Sequence, residues 1–160
     1  MSIKYSDEEI SRLILECKKL PKNYKNLISL KRKRGHKERE LDVPGTDGNQ
    51  FRMIFRQSNF NLLDFSIILA LVPSDSNLLF RLRRYNGKSH EHTNPIERTS
   101  FYDFHIHYAT ERYQDIGGRE DVYAEPTDRF TDFQTALQCF LTDCGFEEPF
   151  SPQLPLFPEG

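Results

Sequence analysis

The sequence predicts an α+β fold: one mostly antiparallel sheet of four to five strands, with an N-terminal and a C-terminal helix packed on one of its faces. Three observations carry this. Two segments near the ends of the chain repeat apolar residues at helical spacing behind capping signals. The middle of the chain holds runs that alternate apolar and polar residues, and the connections between them are rich in Pro, Gly, Asn and Asp, which suits antiparallel neighbours.

Ser6-Asp7-Glu8-Glu9 has the form of a capping box ahead of Ile10, Leu13, Ile14, Cys17 and Leu20. This predicts a first helix from about Asp7 to Leu20, ended by Pro21. Lys31 to Arg39 then gathers six cations and one acid in nine residues. Glu40 to Val43 reads as a short strand and Pro44 to Asn49 as a turn. In the next run Phe51, Met53 and Phe55 alternate with Arg52, Ile54 and Arg56, which predicts a half-buried strand with arginines outward.

Phe65 to Val72 is apolar without alternation, as in a central strand covered on both faces. Across Leu78 to Tyr85 the count of two puts Phe80 and Leu82 on one face, Arg81 and Arg83 on the other. Asn86 to Ser100 reads as loop. Tyr102 to Thr110 alternates again, with Phe104, Ile106 and Tyr108 toward the core and His105 and His107 on the opposite, wetter face, roughly 7 Å apart at about 3.3 Å of rise per residue. Val122 to Ala124 is a further short strand. Thr131-x-x-Gln134 caps a second helix with the stripe Phe133, Ala136, Leu137, Phe140, Leu141 and Cys144, ended by Gly145. Residues 1–146 form one domain on this reading, and the Pro-rich 147–160 an extended or disordered tail.

Composition narrows the function classes. No apolar run reaches the roughly 20 residues of a membrane span, and the start of the chain lacks the basic-then-apolar form of a signal peptide. A cytoplasmic protein is expected. Cys17, Cys139 and Cys144 read as free thiols, because two of them fall on helical stripes and their number is odd. The charge is uneven: residues 1–100 carry 19 Lys/Arg against 12 Asp/Glu, residues 101–160 carry 3 against 12. A basic surface facing an anionic partner fits this, and so do two ordinary solvated faces.

Four of the five histidines lie in two His-x-His pairs, His90/His92 and His105/His107. With Arg52, Arg56, Arg81 and Arg83 on the same sheet face, the pair His105/His107 stands in a cationic groove whose natural ligand is a phosphodiester. Metal-independent RNA cleavage needs a base, an acid and cations for the charge on phosphorus. The leading expectation is therefore an RNA-acting protein, a small endoribonuclease of toxin or phage-defence type. In it His105 and His107 serve as acid and base, Arg81 and Arg83 hold phosphate and His92 supports them. Lys31, Arg32, Lys33, Arg34, Arg52, Arg56 and Lys88 would hold the nucleic acid, and Asn94 would contact phosphate or base. No cofactor and no metal is assigned on this reading.

Two alternatives stay open. One is a non-enzymatic module that binds nucleic acid or protein through Lys31–Arg39, with a cognate partner or a second copy and no membrane. The other is a metal hydrolase in which His105-x-His107 is completed by His90, Glu91 or His92. The string Arg84-Tyr85-Asn86-Gly87-Lys88-Ser89-His90-Glu91-His92-Thr93-Asn94, followed by Phe104-His105-Ile106-His107-Tyr108-Ala109-Thr110, resembles the core of an uncharacterised bacterial family of small soluble proteins, a domain of unknown function. That resemblance implies no activity.

Overall fold

The computed structural model describes residues 4–149. From residue 150 on, the expected extended tail lies outside the described residues. In chain order the elements are α1 (Asp7–Leu15), β1 (Lys18–Lys19), α2 (Tyr24–Leu27), β2 (Lys31–Arg32), β3 (His36–Pro44), β4 (Gln50–Ser58), β5 (Phe65–Val72), β6 (Phe80–Asn86), β7 (His92–Asn94), β8 (Thr99–Phe101), β9 (His105–Tyr108), α3 (Glu111–Asp115), β10 (Ala124–Pro126), α4 (Phe133–Asp143) and β11 (Phe146–Glu147).

The fold is α+β around a seven-stranded sheet in the order β10-β9-β6-β5-β4-β3-β2, antiparallel throughout. Four to five strands become seven as β2, too short to show a period of its own, extends one edge and β10, overlapping the short strand expected at Val122 to Ala124, extends the other. One apolar core joins the sheet to the helices. Ile10 and Ile14 of α1 and Ala136, Leu137, Phe140 and Leu141 of α4 pack with Phe51, Phe55, Ile67, Leu69, Leu82 and Ile106. Edge-to-face pairs Phe55–Phe140 and Tyr85–Phe140 fix α4 across β4 and β6.

Helix α1 starts as expected: the Ser6 hydroxyl accepts from the Glu9 amide at 3.1 Å and the Glu9 carboxylate from the Ser6 amide at 2.9 Å. It ends at Leu15, not Leu20. Glu16 turns extended, and the chain brings in Lys18, whose ammonium donates to the carbonyls of Leu13, Ile14, Glu16 and Cys144 at 2.7–3.0 Å. Lys18 therefore closes the C-terminal ends of α1 and α4 together, where the helix dipoles favour a cation. Burial pushes its pKa down to about 8, and the four acceptors hold it charged at neutral pH.

Helix α4 begins one residue later than expected. Asp132, not Thr131, is its cap, accepting from the Thr135 amide at 2.8 Å. Gly145 ends it with φ +76°, where a Cβ would lie 2.5 Å from the Glu16 carbonyl. Cys17 and Cys139 are half-buried and Cys144 is buried, all three free. No helix among the described residues is long and apolar enough to cross a membrane.

Candidate metal centre

His105 and His107 occur on β9 between β6 and β10, with His105 opposite Asn86 and Pro126, and His107 opposite Arg84 and Ala124. Alternation places both on the face away from the helices, as the sequence predicts. That face is not wet here: His105 is 0 % and His107 4 % exposed. The hairpin β7–β8 folds over it, and their ring centroids come to 4.9 Å, closer than strand rise alone gives. The hairpin is held by Asn94, 2 % exposed, which imitates a strand. Its Oδ1 accepts from the Ala124 amide at 2.9 Å and its Nδ2 donates to the Ala124 carbonyl at 2.7 Å.

This docking swings His92 over the pair, with its ring 5.6 Å from His105 and 4.9 Å from His107. Each of the three rings has one nitrogen committed to an oxygen that can only accept, so that nitrogen carries the proton. His105 Nδ1 donates to the Asp103 carbonyl at 2.7 Å, His107 Nδ1 to the Asp121 carbonyl at 2.8 Å, and His92 Nε2 to Asn94 Oδ1 at 2.8 Å. The other nitrogens are left as bare lone pairs, and ligand atoms of the three side chains lie within 4.8 Å of one another. His105 Nε2 is buried with no partner at all.

Oxygen acceptors on the far nitrogen are what fix and strengthen imidazole ligands in metal sites. Tetrahedral ligation at roughly 2.1 Å sets nitrogens about 3.4 Å apart, so the widest gap must close by about 1.4 Å as the rings turn toward the ion. Burial lowers the pKa of His105 to about 4 and of His107 to about 2, with the charge of Arg84 adding to both. These two rings are neutral at pH 7, the form that binds metal. The leading sequence reading assigns no metal ligand. The structure instead brings together three that could hold one.

A family model matches residues 5–145, which takes in every element from α1 to α4. The chain belongs to DUF6978, a family of unknown function. No curated protein and no solved structure matches it. DUF6978 membership agrees with the resemblance in the sequence and brings no activity with it.

In this DUF6978 chain a polar cleft of about 320 Å³ opens beside the histidines, lined among others by Arg56, Arg84, Asn86, His92, His107 and Arg119. Arg83 is not there. The pairing of β5 with β6 shifts at Leu69/Ala70, so that Arg81 faces Ala70 while Arg83 faces Leu69, with Leu82 as the extra residue. The bulge turns Arg83 to the helix side, where its guanidinium lies 4.8 Å from the Tyr108 ring centre, and turns Arg84 toward the cleft. The expected role of Arg83 on the histidine face is thereby corrected.

Arg81 stays on the expected face but is engaged by Glu120 and Asp121. Asp121, 0 % exposed, also draws Arg84 at 3.2 Å and Arg119 at 3.5 Å. Its carbonyl orients His107, so one short segment arranges both the ligand and the arginines.

The other expected contacts scatter. Arg56 lines the cleft, but Arg52 is bound to Asp42 at 2.6 Å along the strand edge. Lys31 and Arg32 form β2 at the opposite end of the sheet, five strand spacings or about 24 Å from β9, and Lys33 and Arg34 follow in the adjoining turn. Lys88 lies by Tyr102, not on the cleft wall. Asn94, expected to contact phosphate or base, has its amide engaged by His92, Thr99 and Ala124.

Sequence reasoning missed Arg84, Arg119, Asn86 and Asp121. The doublet Arg83-Arg84 held a signal, since neighbours on a strand point to opposite faces and one of the two must face the histidines. Arg119 and Asp121 sit in irregular chain with no period to mark them.

Proposed function

We propose that this protein is a metal-dependent hydrolase of phosphate esters, with RNA as the substrate to test first. Its centre is one zinc-class divalent ion on His92, His105 and His107, with a fourth position open to water. The observation that carries the reading is the convergence of three imidazoles whose ligand atoms lie within 4.8 Å of one another, with one nitrogen of each ring tied to an oxygen acceptor. Three protein nitrogens with an open position are the donor set of hydrolytic zinc, which brings the pKa of a bound water near 7. Held by His92, His105 and His107, such an ion would supply a hydroxide nucleophile at neutral pH for hydrolysis of a phosphate ester, in which one P–O bond forms as the ester P–O bond breaks and the protons of the water end on the two products.

Geometry favours this over metal-independent cleavage by the same residues. An acid and a base must reach two different oxygens on opposite sides of one phosphorus. Here the three rings crowd one small space, with ligand atoms within 4.8 Å of one another, and the free nitrogen of His105 is closed off from solvent. Nitrogen ligands and arginines also divide the work, since a metal site otherwise repelled by cations is completed by an anionic substrate.

The test is metal analysis of the purified protein with a parallel RNA digestion. The expected result is close to one equivalent of a transition metal, lost in His105→Ala/His107→Ala, and RNA cleavage stopped by EDTA and restored by zinc. Cleavage indifferent to EDTA would return the histidines to acid and base roles. Apo protein that takes up no metal would end the present reading.

A further inference from the structure

We infer that the cleft beside the histidines is a subsite for a phosphoryl oxyanion, and that metal and phosphate bind interdependently there. The inference rests on the metal reading above and adds the group that fills the remaining space. Arg56, Arg84 and Arg119 converge on this cleft from β4, β6 and the chain before β10, with His92 and His107 at its inner wall. The acids on its wall or behind it are Asp64 and Asp121. Asp121 already faces Arg81, Arg84 and Arg119 at 3.2–3.6 Å with neither oxygen hydrogen-bonded, and Glu120 shares Arg81 at 3.4 Å, so two carboxylates are set against three guanidiniums.

A divalent ion on three neutral imidazoles adds two more positive charges to a space already cationic. Such a site holds its metal weakly unless an anion enters with it. By linkage the effect runs both ways: phosphate tightens the metal, and the metal tightens phosphate by the same factor. Arginine suits this role, because its planar fork meets two phosphoryl oxygens at once.

A second observation points to a polar ligand in the same space. Asn86, 5 % exposed and on the cleft wall, has a buried Oδ1 with no partner in the fold. Buried amides are rarely left so. An acceptor there suits the O–H of a metal-bound water or of a sugar hydroxyl next to the phosphate. The rest of the cleft wall mixes Ser66, Ser89 and the exposed His90 with Phe65 and Val122. The three arginines make the phosphate the group recognised there.

Cobalt(II) titration of the apo protein, read by its visible absorption, tests this with three arms: no anion, inorganic phosphate and dimethyl phosphate. Wild type is expected to bind cobalt in every arm and to bind it about tenfold more tightly with phosphate, within the roughly 5–150-fold range of such couplings. Tightening by dimethyl phosphate as well identifies a diester site, and tightening by inorganic phosphate alone a terminal phosphate. Arg84→Met should abolish the tightening while still binding cobalt. Because Arg84 also faces buried Asp121, Arg119→Met serves as the second variant, its side chain being half-exposed and removable with the fold intact. Cobalt binding unaffected by either anion overturns the subsite and leaves the metal centre standing. Equal tightening in wild type and both arginine variants also overturns it. No cobalt binding in any arm overturns the metal centre itself.

Discussion

Replacing Asn94 with alanine should separate the metal centre from the sheet that carries it. The Asn94 amide bridges the Ala124 N–H and C=O at 2.9 and 2.7 Å, takes the His92 Nε2 proton at 2.8 Å and donates to Thr99 Oγ1 at 3.1 Å. Asn94→Ala leaves two backbone groups of β10 without partners, each costing about 1–3 kcal/mol when buried. With water entering the gap, the net loss should be about 2–4 kcal/mol. At roughly 2–4 °C per kcal/mol for a chain of this size, Tm falls by roughly 4–16 °C. His92 also loses the acceptor that orients it, and loss of such a partner typically weakens metal binding about 10–100-fold.

The assay is calorimetric metal titration at a temperature well below the lowered Tm, beside a thermal melt. Thr93→Ala is the control. It removes only the exposed Thr93–Ser100 hydroxyl pair on the same hairpin, and should change stability by less than about 0.5 kcal/mol and leave metal affinity alone. Folded Asn94→Ala that binds metal as tightly as wild type would refute the reasoning. In that case the hairpin would not be what places His92.

Four further outcomes are expected. Saturation with zinc at about 100 times Kd should stabilise the protein by about 2.7 kcal/mol, seen as a higher Tm that EDTA reverses; an unchanged melt would count against a folded-state metal site. Arg83→Met should leave metal affinity unchanged and cost about 1–2 kcal/mol through lost contact with Tyr108, whereas loss of metal or phosphate binding would place Arg83 back at the site. Asp121→Asn leaves Arg84 and Arg119 facing a neutral amide and Arg81 with Glu120 alone, so denaturant melts should show about 3 kcal/mol of destabilisation, and a neutral effect would mean that solvent already screens them.

Lys18 predicts a pH effect. Its folded pKa of about 8 lies below the usual 10.5, so between these values the unfolded chain binds more protons than the folded one. Stability of wild type relative to Lys18→Met should therefore rise as pH goes from about 8 to about 10.5, in paired denaturant titrations. A flat difference would show that the four carbonyls hold the ammonium with its ordinary pKa.

Much of the fold could be read locally. The Ser6–Glu9 box, the alternation Phe51/Met53/Phe55 and the stripe Phe133–Leu141 each report a backbone period against one buried face, and each stands where that period puts it. The same count of two placed His105 and His107 together, opposite Ile106. Helix α1 shows the limit of such reading. Leu20 continues the stripe in sequence, yet it is buried from an extended segment, because Lys18 had to reach the carbonyls at both helix ends.

Of the candidate site the histidines were legible, with His92 one of three residues named to complete the pair, but not which of the three does so or which arginines stand beside it. Two things assembled the rest, and both are long-range. The bulge at Leu82 adds one residue to the strand, which exchanges Arg83 for Arg84 and leaves no mark on the alternation before it. The docking of Asn94 on Ala124, 30 residues away, carries His92 across to the pair. Strand order likewise set the basic run Lys31–Arg34 at the far edge of the sheet. Away from a bulge, a sequence determines which face a residue takes along its own strand, because that follows from neighbouring dihedral angles. Which strands lie side by side, and what folds over them, depends on contacts between segments far apart in the chain, and only the tertiary structure decided it.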